Sequence, residues 1–184
     1  MGKMKPKNET DDLIRKVKTF TEARKFSDAA RCLDDAATME AETARKAHFW
    51  RQAAALYKKA GEYRKAADTY QSAGELLEPS ARAECLMASW KCLISGIVAY
   101  EYDCSWEWRG DSGDHESGHD TYQNAIKEYQ AEAERVLFAV LHIEGLNGQE
   151  VLKEAGLEYK RLEKAGGWGA SRCKKIIEGA TNKS

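Results

Sequence analysis

The chain of 184 residues is expected to be all-α and assembled from antiparallel helix pairs. Three observations lead there. The composition is rich in Ala, Glu, Lys and Leu and holds only two prolines, which favours helix over sheet. Small and aromatic residues recur at helical intervals through residues 57–79. The same arrangement also occurs 37 residues upstream, which makes it a repeat.

The elements follow in order. Leu13, Val17 and Phe20, then Phe26, Ala29, Leu33 and Ala36, mark a first helix pair. In the second pair, over 47–79, Trp50, Ala53, Ala54 and Tyr57 share one helical face. Gly61 supplies the turn, and Tyr63, Ala66, Tyr70 and Ala73 share a face of the helix after it. Cys85, Ala88, Ser89, Cys92 and Gly96 match this pattern 35 residues further on, with Gly96 at the place of Gly61. The helix that carries them, about 80–101, is apolar almost all round, with Leu86, Met87, Trp90, Leu93 and Ile94 on the side a helix stack would expose in its groove. A helix apolar on every side is buried on every side. The expected cover is the chain's own C-terminal helices, with a second copy of the chain (a homodimer through 80–101) or a partner helix as the alternative.

A long helix is expected over 120–144, striped by Tyr122, Ala125, Ile126, Tyr129, Ala133, Val136, Leu137 and Val140, N-capped at Asp120 or Thr121 and ended by Gly145. Another follows over 149–165, with Val151, Leu152, Ala155, Tyr159 and Leu162 inward, and Gly-Gly-Trp-Gly at 166–169 breaks it. A last short helix, 170–178, buries Cys173, Ile176 and Ile177 and leaves Arg172, Lys174 and Lys175 in solvent. The sum is about eight helices in one domain over 10–182, preceded by a disordered basic stretch at 1–9.

Trp50, Tyr57, Gly61, Tyr63, Ala66, Tyr70, Ala73 and Pro79 resemble the tetratricopeptide pattern. The paired alanines around them look like the SNAP-like (soluble NSF-attachment protein-like) branch of that superfamily. The resemblance is strongest over 47–79, extends over 10–46 and fades beyond about residue 100. It departs from the tetratricopeptide pattern at Ala53 and Ala54 and by one place at Pro79. It implies a right-handed α-solenoid of stacked helix pairs acting as an interaction scaffold. The implied groove positions are His48, Arg51, Gln52, Ala55 and Lys58 in the second pair, with Arg15 and Lys18 in the first, giving a mildly basic groove suited to an acidic or helical ligand.

Between the third and fourth units, a loop over 103–119 interrupts the pattern. From Glu101 to Asp120 seven acids stand against Arg109 alone, a net −6 in a chain whose total is −1. Loops of this length in compact folds are usually functional or disordered. Trp106 and Trp108, flanked by acids, are candidates for recognising a basic partner. His115, His119 and Asp111, with further carboxylates and Cys104 nearby, are candidate metal ligands by donor type, although Gly113 and Gly118 argue against the helix on which a His-x-x-x-His clamp works. A metal-binding protein using this loop is therefore the alternative to the scaffold.

The remaining classes find little support. A net charge of −1 offers no field for nucleic acid. The most apolar window, 86–100, is too short for a membrane span and contains Lys91. Five cysteines, an odd number with no Cys-x-x-Cys and no secretory signal ahead of them, fit a reduced cytoplasmic protein. No nucleophile elbow, phosphate-binding loop or dinucleotide fingerprint occurs, and His48 and His142 stand alone on helices, so neither catalysis nor a cofactor is expected. The expected partner is a protein or peptide.

Overall fold

A computed structural model describes residues 6–107 and 116–182, with side chains described over 9–103 and 121–182. Among these residues there are eight α-helices and no strand. None of the helices is long and apolar enough to cross a membrane. The chain forms two compact units, residues 1–89 and 90–184.

The first unit holds α1 (Pro6–Glu22), α2 (Phe26–Met39), α3 (Thr43–Lys59), α4 (Tyr63–Glu75) and the start of α5 (Pro79–Glu107). Pro6 at the first helical position suits a residue with no amide hydrogen; helix thus begins inside the stretch 1–9 expected to be disordered, and residues 1–5 lie outside the described ones. Turns of three residues join α1 to α2, α2 to α3 and α3 to α4, and each of these helices packs against the next as an antiparallel neighbour.

The repeat is visible in the backbone itself. Glu62 N–H donates to the Tyr57 carbonyl at 2.9 Å across Gly61 at φ 79°, and Lys25 N–H donates to the Phe20 carbonyl at 2.8 Å across Arg24 at φ 56°. Both are left-handed caps of the kind glycine favours. The residues that follow, Lys25 (φ −84°, ψ 65°) and Glu62 (φ −84°, ψ 63°), share one conformation 37 residues apart. Ala29, Ala30, Ala36 and Ala37 on α2 are fully buried, and so, at the same offset, are Ala66, Ala67 and Ala73 on α4, with Gly74 in the fourth place. A Cβ on Gly74 would meet that of Cys85 at 3.3 Å, so even alanine would crowd this crossing.

The second unit holds the rest of α5 from Trp90, α6 (Glu116–Leu141), α7 (Gly148–Lys164) and α8 (Ala170–Asn182). Trp90, Leu93, Ile94, Ile126, Leu137 and Ile176 are fully buried in its core. The α8 helix packs on both α6 and α7. Asn147 caps α7, its side-chain oxygen accepting from Gln149 N–H at 3.0 Å.

Several boundaries depart from the sequence expectation. The α5 helix runs 29 residues, through Gly96 and on to Glu107. Gly96 is therefore no counterpart of the Gly61 turn: a Cβ there would lie 2.3 Å from the Tyr129 ring, so its smallness makes room for α6 rather than for a bend. Helix also occupies both ends of the expected 103–119 loop, and Asp120 and Thr121 lie inside α6 rather than capping it. The last helix extends to Asn182, with Ile177 half-buried, and Arg172 is held by Glu101 rather than solvated.

Two substitutions test these assignments by denaturant titration of the whole chain. Gly96→Ala is expected to lose ~1–3 kcal/mol, because the added methyl overpacks the Tyr129 contact. Arg24→Gly is expected to gain up to ~1 kcal/mol by relieving a left-handed residue that carries a Cβ. An unchanged midpoint in the first, or a loss in the second, contradicts the roles given to these turns.

Candidate functional site

In the first unit α3 presents His48, Arg51, Gln52 and Ala55 at helical spacings of three and four, hence on one face. Together with Tyr70 on α4 and Glu84, Cys85 and Ala88 on the start of α5, they line a depression of about 500 Å³. Arg51 Nη2 donates to Glu84 Oε2 at 3.4 Å, with the two side chains 46% and 66% exposed. At such exposure an ion pair is worth only ~0–1 kcal/mol, so it opens cheaply. Glu84 also corrects the expectation of a mildly basic groove: the arginine faces a carboxylate of its own chain, and the lining is a mix of both signs with apolar floor positions.

The other expected groove residues lie elsewhere. Arg15 pairs with Asp12 at 2.8 Å and Lys18 with Glu22 at 4.0 Å along the exposed side of α1, and Lys58, exposed in the last turn of α3, does not line the depression. Of the loop candidates, Trp106 falls within α5 and His119 within α6, while Trp108, Asp111 and His115 lie outside the described residues. The helical placement of Gly118 and His119 differs from the loop expected there; a glycine costs a helix only ~1 kcal/mol, which the long stripe of α6 outweighs. Among the described residues no group of three His, Cys, Asp or Glu side chains is placed to hold a metal.

Chemically reactive groups are muted. Cys32, Cys85, Cys92 and Cys173 are buried and in no disulfide. Burial raises the thiols of Cys32 and Cys85 and pushes that of Cys173 up to about 12, so at neutral pH these three remain thiols. Between α2 and α3, Tyr57 donates its hydroxyl to Asp34 Oδ2 at 2.7 Å. Burial lifts the Asp34 carboxyl above its ordinary value, and the Tyr57 hydrogen bond offsets part of that rise.

Two arrangements in the second unit have no strong signature in the sequence. Glu101 on α5 accepts from Gly169 N–H at 2.5 Å and from Arg172 Nε at 2.6 Å, and Arg172 also reaches Gln130 and Gln123 on α6. Beside it the rings of Tyr102 and Trp168 meet edge to face, 6.3 Å apart at 85°. Trp168 is legible in the sequence only as part of a glycine-rich break, because its partner stands 66 residues away. The other arrangement is a depression of about 400 Å³ lined by Leu141, His142, Asn147, Gln149, Leu152 and Thr181. Three of its polar side chains are engaged within the chain: Asn147 caps α7, Thr181 donates to backbone carbonyls one turn before it, and the His142 Nδ1 lies 2.8 Å from the Phe138 carbonyl.

The Asp34 environment has a testable pH signature. A carboxyl raised on folding favours the protonated form, so its stabilising contribution is present below the ordinary aspartate range and is lost as pH rises through the folded value. Asp34→Asn is therefore expected to destabilise least, relative to the parent chain, at neutral pH and most near pH 4. Denaturation curves at pH 4 and 7 check this, and a parallel loss at both values counts against it.

No protein-family model, no curated protein and no solved structure matches this chain.

Proposed function

We propose that the chain is a non-enzymatic interaction scaffold that holds a protein or peptide segment in the α3 depression. One observation carries the reading: His48, Arg51 and Gln52, three side chains with hydrogen-bonding heads on successive turns, project together into a concavity with apolar floor positions at Ala55 and Ala88. Such a surface suits a ligand segment that lays apolar side chains on the floor and polar ones on the rim. The exposed Arg51–Glu84 pair gives a ligand both a donor and an acceptor to engage.

The repeated helix pairs α1–α2 and α3–α4 support reading the first unit as the beginning of a right-handed α-solenoid of the tetratricopeptide, SNAP-like kind. Buried cysteines outside any disulfide are in keeping with a reducing cytoplasmic compartment.

A photoreactive residue placed at Gln52 tests the proposal in native lysate, with Arg51→Glu as the paired variant. The expected outcome is one dominant cross-linked partner at near-stoichiometric yield, lost in Arg51→Glu while the circular dichroism spectrum stays unchanged. A diffuse set of adducts that the variant does not alter rejects the groove as a specific site.

A further inference from the structure

We infer that the outer ridge of α7, formed by Lys153, Leu157, Lys160 and Lys164, is a docking surface in the second unit and that its ligand is an anionic phospholipid surface. The four residues stand four, three and four positions apart, so they share one face along about 16 Å of helix. The buried Val151, Ala155 and Leu162 take the opposite face, and all four ridge residues are exposed. Leu157 is 59% exposed, more than Trp168 at 41% or Ile14 at 39%. A Cβ added to its neighbour Gly156 would meet nothing within 4 Å, so the chain leaves this side of α7 open.

The charges on the ridge are uncompensated. Elsewhere exposed cations pair along their own helix, as Arg15 does with Asp12, Arg135 with Glu132 and Lys174 with Glu178. Lys153, Lys160 and Lys164 form no ion pair among the described residues. Two of the four acids of α7 are taken by other cations: Glu154 accepts from Lys91 at 2.6 Å and Glu158 from Arg161 at 2.6 Å. Glu163, three residues after Lys160, accepts the Tyr159 hydroxyl at 2.8 Å and keeps its charge. Glu150, one turn before Lys153, is the other carboxylate that opposes the preference. Along the chain the positive sign persists: residues 160–175 hold six Lys or Arg against Glu163 alone, a net +5 in a chain of net −1.

The kind of cation selects the ligand. All three are lysines, and the ridge has no arginine, whose planar fork serves shaped carboxylate and phosphate sites. Lysine is depleted from protein interfaces and acts as a point charge on a flexible stem. Three such stems around a leucine suit a diffuse negative surface. Their charged heads lie among lipid headgroups, while Leu157 and the lysine methylenes turn toward the acyl boundary. A bilayer also yields to a convex ridge, whereas a peptide segment needs a depression of the kind α3 lines in the first unit.

The test is co-sedimentation of the full chain with vesicles of phosphatidylcholine alone or of equal parts phosphatidylcholine and phosphatidylserine. Binding to the phosphatidylserine vesicles alone is expected, falling steeply with added salt. Lys153→Gln, Lys160→Gln and Lys164→Gln are each expected to weaken it about fivefold, and the triple variant to abolish it. Leu157→Ala weakens it further and Glu150→Gln strengthens it, while Lys18→Gln on α1 leaves it unchanged. All these side chains are exposed, so the circular dichroism spectrum stays that of the parent. The α3 depression captures its ligand without lipid, so the two surfaces stand or fall separately. Equal binding to both vesicles, binding kept in the triple variant, or no binding overturns the proposal. So does a preference for polyglutamate or single-stranded RNA over the vesicles in competition, or a dimer of the parent chain that Leu157→Ala dissolves, since another occupant then holds the ridge.

Discussion

Close helix crossing through alanine is the constraint on which the first unit depends. Ala29, Ala30, Ala36 and Ala37 on α2, and Ala66, Ala67 and Ala73 on α4, have no exposed surface, and Gly74 closes the series. Side chains this small let helix axes approach to ~8 Å, and larger ones would push them apart at ~1–3 kcal/mol per overpacked site. Each methyl buries little area, so the aromatic and aliphatic residues beside the crossings, such as Phe49, Leu56 and Tyr57, supply most of the hydrophobic gain. The surface ion pairs contribute far less. Most join residues three or four apart on one exposed helix, where ~0.3–0.5 kcal/mol is typical.

The second unit solves the same packing problem with different residues. Its core uses large side chains, led by Trp90, Leu93 and Ile94, and confines close approach to a few glycines. Gly96 admits the Tyr129 ring, and Gly169 lies on Val98. The Glu101–Arg172 pair then ties the turn before α8 to α5, with the carboxylate satisfied by a backbone amide as well as a guanidinium. A half-buried ion pair with that much additional hydrogen bonding fixes geometry more than it adds stability.

These two packing modes leave different surfaces. Where small residues bring helices close, the long polar side chains of α3 are left around a concavity, and His48, Arg51 and Gln52 converge there. Where glycines build a tight turn, the single side chain left in it stands out, and Trp168 is that side chain. The α3 depression follows from the packing that produces it; the buried thiol of Cys85 borders it, whereas the Asp34–Tyr57 pair lies outside its lining.

The sequence by itself determined the helices, their approximate order, the 37-residue repeat and the burial of its alanines, because these depend on local periodicity and on side-chain size at fixed spacings. It also brought His48, Arg51, Gln52 and Ala55 to one face of α3, since a helix face is a local property. It misjudged where a glycine means a turn: Gly61 is left-handed, whereas Gly96 is an ordinary helical residue beneath a ring from another helix. It also missed Glu84 opposite Arg51, Arg172 against Glu101 and Trp168 against Tyr102. Those pairings join residues 33 to 71 positions apart, and no spacing rule within one helix reaches across such a gap. Tertiary structure alone decided them, because the partner of an exposed charge or ring is set by which helix packs beside it.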